Sequence, residues 1–288
     1  ACAIDTAIRN AVSAGGSLES LALLDNFCWC DSGNPERLGE LKDAAKACFY
    51  YAVSYGTPFI SGKDSMFNDF HGYDADFNEV KISIPPTLLI SSIGVVEDVR
   101  RCQTIDFKFP GDLLYCAGMT KPEMGGSEYL VLMGERLSGS RYIGNRAPSV
   151  QADDNIALYR AVEEAMKRGY IASSISIERG GMGVALGKSA MAGMKGCSID
   201  LSKIPAGEPL RDDDLLFSES QGRFLFSVNP QNKDEFEVLF DGMPLALIGT
   251  VSHTGMIEVK GMEGGTVIST DVDALQGSYK STFKDFQG

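Results

Sequence analysis

Wherever a helical or strand-like apolar pattern develops in this chain, glycine or proline soon cuts it short, and this punctuation restricts the fold to short elements in alternation. The first pattern places Ile4, Ile8 and Val12 at four-residue spacing with Ala3, Ala7 and Ala11 beside them. That spacing predicts a helix over about residues 3–14, stopped by Gly15-Gly16. Leu21-Ala22-Leu23-Leu24 follows as a short apolar strand ending in Asp25. After Asp31-Ser32-Gly33-Asn34-Pro35, a second helix is predicted from about Leu38 to Tyr55. Its apolar face carries Leu38, Leu41, Ala45, Cys48, Phe49 and Val53, and Gly56-Thr57-Pro58 breaks it. A strand near Phe59-Ile60, a loop at Gly62, a polar aromatic stretch to Glu79 and strands around 81–84 and 87–96 complete the first third.

A second part begins near Asp106, with the turn Phe109-Pro110-Gly111-Asp112 before a strand at 113–116. Gly125–Gly144 reads as glycine-rich and mobile. A helix over about 154–168 follows, and Gly180-Gly181-Met182-Gly183 opens another through Ala192. Strands are expected at 224–228 and 245–251, with a helix at 234–240 between them. A domain boundary is placed near residue 105, giving units 1–105 and 106–288. No internal repeat or low-complexity tract interrupts them.

The chain has 288 residues, 44% hydrophobic and 23% charged, as expected of a globular protein with a substantial core. No apolar run approaches the roughly 20 residues that span a bilayer, and no secretory signal is visible, so no membrane partner is expected and the default location is cytoplasmic. A formal net charge of −13 argues against a nucleic-acid partner, though not against a nucleotide held by amides and a metal ion. Seven scattered cysteines suit a reducing compartment. Cys28-Trp29-Cys30 lacks the spacing and the second ligand pair of a zinc site. The helical pattern starts at once after Ala1, which reads as a piece of a longer polypeptide, a removed initiator Met being the alternative.

Several segments could carry chemistry. In Gly62-Lys63-Asp64-Ser65, glycine permits close backbone approach, Lys63 supplies charge and Ser65 a hydroxyl, as a phosphate-handling loop requires. It is not a Walker loop: residues 57–61 separate Gly56 from Gly62, one more than the motif allows, and Asp64 stands where Ser or Thr should be. An exposed turn is the plainer alternative. Asp25-Asn26, closing a strand, could hold magnesium or a ribose hydroxyl, or cap the next loop. Glu219-Ser220-Gln221 reads equally as a polar ligand site or a tight turn. Gly125-Gly126-Ser127-Glu128 reads as an amide nest or a helix start. His71 and His253 read as surface residues.

Together these segments resemble the aminoimidazole-ribonucleotide (AIR) synthetase-like superfamily, and within it the phosphoribosylformylglycinamidine synthase family. The resemblance runs through Asp5-Thr6-Ala7-Ile8-Arg9-Asn10, Leu24-Asp25-Asn26-Phe27-Cys28-Trp29, Ser61-Gly62-Lys63-Asp64-Ser65-Met66, Ile84-Pro85-Pro86-Thr87-Leu88, Pro110-Gly111-Asp112, Gly125-Gly126-Ser127-Glu128-Tyr129 and Phe217-Ser218-Glu219-Ser220-Gln221. Their order is more specific than any one of them. It implies an A-type domain with a small mixed sheet followed by a B-type α/β domain, a two-domain α+β or α/β chain resembling the second of two tandem copies. The implied activity is ATP-dependent amidation of formylglycinamide ribonucleotide. The implied partners are the first half of the synthetase and a glutaminase subunit or domain supplying ammonia, with homodimerisation through the A-type sheet as a further option.

Carried over by residue, Asp25 and Gly62 match positions that contact ATP, and Ser65 one on the substrate side. Lys63 falls where one branch uses Asn as a magnesium ligand. Protonated lysine cannot ligate a metal, so Lys63 is assigned to phosphate and Asp64 to magnesium. Glu219, Ser220 and Gln221 are assigned to substrate, and no residue is assigned as catalytic acid, base or nucleophile. Two departures stand out. Thr6 replaces a frequent Glu, and Ile175-Ser176-Ile177-Glu178-Arg179 replaces a His-Asp-x-Ser-Asp run, which implies a degenerate auxiliary nucleotide site. The rival readings are another kinase or cyclo-ligase of the superfamily and a non-catalytic structural module.

Overall fold

The computed structural model describes residues 1–282. The chain opens with helix α1 (Cys2–Ala14), which ends on Gly15 in the left-handed region at φ 106°. Strand β1 (Ala22–Cys28) leads to α2 (Pro35–Tyr55), whose start is capped by the Asn34 side chain accepting from the Glu36 and Arg37 amides. Then come β2 (Phe59–Ser65), β3 (Asp69–Tyr73), β4 (Glu79–Ser83) and β5 (Thr87–Ile93). The order β2-β1-β5 forms a three-stranded mixed sheet, parallel between β1 and β2 and antiparallel between β1 and β5. Strands β3 and β4 form a separate two-stranded hairpin.

After the segment 94–112, β6 (Leu113–Ala117) enters a seven-stranded sheet. Helices α3 (Glu128–Ser138) and α4 (Ala152–Arg168), strand β7 (Ile171–Ser176), α5 (Gly181–Gly193), β8 (Cys197–Asp200) and α6 (Asp212–Phe217) follow. The chain continues through β9 (Phe224–Val228), α7 (Lys233–Leu239), β10 (Leu245–Val251), β11 (Met256–Lys260), β12 (Thr266–Asp271) and α8 (Val272–Ser281). Among the described residues the strand order is β12-β11-β8-β10-β6-β9-β7, with β8–β11 the one parallel pairing.

Strand alternation divides this sheet between two cores. Tyr115, Ala117, Phe224, Phe226 and Val228 meet α1, α4 and α7 on one face. Leu114, Cys116 and Leu225 meet α5, α6 and Val272 of α8 on the other. Burial pushes the Cys116 and Cys197 thiols up to about 12, so they behave as small apolar fillers. Helix α1, first in the chain, therefore packs its Ile4, Ile8 and Val12 into the core of the later sheet.

Several local expectations change. The Gly62 segment is strand, not loop, and Asp25 lies in mid-strand rather than at the end of one. The cause is pairing: Asp25 is registered against Gly62 on one side and Ile90 on the other. The segment 125–144 contains α3, capped by Ser127, because Gly125, Gly126 and Gly139 flank the helix and Gly134 alone lies within it. The face of α2 expected to be apolar is largely outward: Leu38, Phe49 and Val53 are exposed and Cys48 is buried. Leu41, Ala44, Cys48, Tyr51 and Tyr55 turn inward instead, one step around the helix. His71 lies in β3, exposed, and His253 is exposed as expected.

Candidate functional site

Two places gather the residues singled out by sequence. The first is the β1–β2 pair. Asp25 sits opposite Gly62, and Phe27 opposite Asp64, so Asp25, Gly62 and Asp64 share one face of the sheet. The Asp25 carboxylate leans across Gly62 so closely that a Cβ there would collide with it. This is why glycine is required at a position whose backbone is ordinary strand. Lys63 and Ser65 occupy the opposite face, where the Lys63 ammonium hydrogen-bonds the Ser65 hydroxyl. Residues 61–64 are exposed along an edge strand, and Asp25 is half-buried.

Asp25 and Asp64 are the carboxylates here that could take part in holding magnesium, which prefers oxygen ligands and keeps several waters or phosphate oxygens. Two carboxylates fit a shared ion rather than a complete protein cage. Among the described residues no group of three or more His, Cys, Asp or Glu is placed to hold a metal.

The second place is an open cleft of about 630 Å³ between α1, β5, the start of α3 and the turn before β9. Thr6, Asn10, Glu178, Arg179, Glu219 and Gln221 line it. Its charges are largely used internally. Arg179 pairs with Glu128, Asn10 donates to Glu178 at 3.3 Å and accepts from the Ser176 hydroxyl. The Glu219 carboxylate accepts from the Gly180 amide at 2.9 Å and the Glu128 amide at 3.3 Å, at the starts of α5 and α3. Gln221 Oε1 accepts from Thr6 at 3.0 Å and Arg9 at 3.2 Å. Ser220 is buried, and its hydroxyl engages both the amide and the carbonyl of Lys121 at 3.1 Å. The Asp25–Ser65 group does not line this cleft, so the two groups assigned by sequence to one site lie apart in this chain.

Behind the cleft lies a buried polar hub that sequence reasoning passed over. Asp5 Oδ1 accepts from Tyr55 at 2.5 Å, Tyr159 at 2.6 Å and Asn155 at 2.8 Å. Its Oδ2 accepts from Arg9 and from the Gly222 amide at 3.3 Å. Arg9 also donates to the Ile177 carbonyl at 3.2 Å. Burial pulls the Arg9 pKa down, but the Asp5 carboxylate, the Tyr159 oxygen and the Glu178 carboxylate together more than reverse this and hold it above its ordinary value. Burial and the same carboxylate hold the Tyr159 phenol well above its usual range. Arg223, also fully buried, has no carboxylate partner among the described residues. It holds the carbonyls of Ser218 and Ser220 and the Thr120 hydroxyl, and burial pushes its pKa down to about 10. One signal was available in the sequence: Asp5 and Arg9 form a charge pair at four-residue spacing inside the apolar stripe Ile4-Ile8-Val12.

The family model described as "AIR synthase related protein, C-terminal domain" matches residues 110–261, more than half of the chain. The chain belongs to the AIR synthase related family. As a family member it is 32% identical over 290 residues to the phosphoribosylformylglycinamidine synthase subunit PurL of Methanocaldococcus jannaschii. That alignment covers 99% of this chain but 37% of the relative, so the chain spans little more than a third of that protein's length. The AIR synthase related architecture also matches solved structures at identities that speak to fold alone. Thermotoga maritima PurL complexed with FGAR gives a TM-score of 0.67 at 18% identity, over 94% of this chain and 42% of that one. A HypE–HypF complex gives 0.65 at 17% identity, over 93% and 83%. The described helices include none long and apolar enough to cross a membrane.

Proposed function

We propose that this chain is the second half of a phosphoribosylformylglycinamidine synthase, acting in a site completed by the first half. The observation that carries the reading is the 32% identity to a PurL subunit along 99% of the chain. The exposed edge strand suits a composite site, since among the described residues positions 61–64 lie open to solvent. In this reading the amide oxygen of formylglycinamide ribonucleotide attacks the γ-phosphorus of ATP and releases ADP. Ammonia from a glutaminase then adds to the activated carbon, and phosphate leaves to give the amidine. The chain's contribution is positional: Asp25 and Gly62 hold the nucleotide from one face of the edge strand, Lys63 would reach its phosphates around the edge from the other, and Ser65 beside Lys63 faces the substrate. Asp64, with Asp25 beside it, would hold magnesium, which when bound neutralises phosphate charge. Gln221 Oε1 would meet substrate only by giving up Thr6 and Arg9, whereas Glu219 would offer Oε2 while Oε1 stays on the Gly180 and Glu128 amides. The chain would act in the cytoplasm.

The reading also holds that the cleft behind Glu219 no longer serves as an auxiliary nucleotide site, its polar groups being committed to one another. Tight magnesium-dependent ADP binding that Ser176 or Glu178 substitutions abolish would contradict this. The main test is phosphate release with ATP, formylglycinamide ribonucleotide and ammonia. The isolated chain should be inactive, and addition of the rest of the synthase should restore turnover that Asp25→Asn removes. Robust release by the isolated chain would refute the half-module reading and favour a self-contained kinase or cyclo-ligase.

A further inference from the structure

The β3–β4 hairpin is built as an unfinished object. Among the described residues it pairs with no third strand, and a lone two-stranded ribbon is marginal in water. Yet it displays Phe70, Tyr73, Phe77 and Ile82 as exposed side chains. Phe77, at the tip, is 86% exposed and sits in the left-handed region at φ 62°, unfavourable for a bulky residue. The tip is held in that shape by Asp74. Its carboxylate accepts from the Asp76 and Asn78 amides at 2.9 Å and from the Asn78 side chain at 3.0 Å, and its carbonyl accepts from the Phe77 amide at 3.1 Å. The backbone that carries this exposed aromatic ring is thus held in shape in advance. Asp74, Asp76 and Glu79 surround it, and the hairpin's lysine, Lys81, is spent on Asp31 and Asp69.

We propose that this hairpin is a docking arm whose Phe77 enters an apolar pocket rimmed by lysine and arginine on the remainder of the synthase. The occupant follows from charge. The acidic tip on a chain of net charge −13 disfavours a second copy and an anionic membrane, and favours a protein surface of opposite sign. The rigid tip lowers the ordering cost of binding, the usual advantage of a preformed anchor. The inference rests on the half-module reading of the chain.

The test titrates the rest of the synthase, expressed separately, into this chain by calorimetry, beside a thermal melt of each variant. Phe77→Gly is the decisive variant, because glycine is comfortable at this φ and the chain should melt no lower than wild type. Its affinity should fall by about thirty-fold or more, the loss typical of an aromatic anchor. Asp76→Lys should slow association at low salt by roughly tenfold. Unchanged affinity of Phe77→Gly, with wild type binding normally, would overturn the arm alone. Self-association of the isolated chain that Phe77→Gly abolishes would assign the arm to a second copy and overturn it too. Failure of wild type to bind the remainder would overturn both the arm and the half-module reading.

Discussion

Replacing either member of the Asp5–Arg9 pair should be among the most damaging single changes in this protein. Asp5 is fully buried and accepts from Tyr55, Tyr159, Asn155, the Gly222 amide and Arg9. In Asp5→Asn the amide oxygen can keep the three donors at Oδ1, but the new NH2 group faces Arg9 and the Gly222 amide, donor against donor. Arg9 is then a buried, uncompensated cation, which costs about 3–5 kcal/mol. Arg9→Met should cost less, about 2–3 kcal/mol, because Asp5 keeps four other donors while the Ile177 carbonyl and Gln221 lose one each. At roughly 2–4 °C per kcal/mol, Asp5→Asn should lower Tm by about 6–20 °C. The double variant should be less damaging than the sum of the two by at least ~1 kcal/mol, since each single change strands a charge that the double change removes. Urea unfolding of the four proteins gives the cycle. Additive losses, or an Asp5→Asn variant within ~1 kcal/mol of wild type, would refute the argument that this pair carries a buried mutual charge.

Three further outcomes are expected. Gly62→Ala should leave the fold intact, because the strand is exposed, but displace the Asp25 carboxylate and weaken ATP binding by the assembled synthase at least about tenfold, measured by calorimetry. Asp112 is buried with Oδ2 unpartnered among the described residues, and burial raises its pKa above the ordinary 3.8. A raised native pKa means that stability falls as pH rises through it, so Asp112→Asn should be more stable at pH 7, by about 1–3 kcal/mol, and the advantage should vanish in urea melts at a pH below 3.8. Arg223→Lys keeps the charge but cannot span the Ser218 and Ser220 carbonyls and Thr120 together, so a loss of about 2–3 kcal/mol should appear in the same assay.

What the sequence disclosed depended on whether a signal was local. Strands 224–228 and 245–251 could be read to the residue, because apolar runs bounded by turn residues fit buried sheet and little else. Helices α1 and α2 were legible from spacing and glycine stops. The Gly62 segment was misread as a loop because its polar residues suggest a turn, while its strand character comes from pairing with β1, a distant partner. Phe49 and Val53 looked like core because periodicity reports an apolar stripe without reporting whether this chain covers it. The Asp5–Arg9 spacing was visible, but its partners Tyr55, Asn155 and Tyr159 are joined only by tertiary structure. The cleft was half legible: Glu219 and Gln221 were singled out, but their commitment to helix starts and to Arg9 was not.

The position of α1 also has consequences in time. Its Ile4, Ile8 and Val12 complete their core only with residues as late as Phe224–Val228. During synthesis at roughly 5–20 residues per second, some ten to forty seconds pass between the making of that helix and of the strand that shelters it. Throughout that interval the buried pair Asp5–Arg9 keeps its water, and the apolar stripe beside it is open to other chains. A fold whose first helix is a keystone for its last layers cannot mature from the front. Its yield in a cell should depend on what shields α1 while the rest of the chain is made.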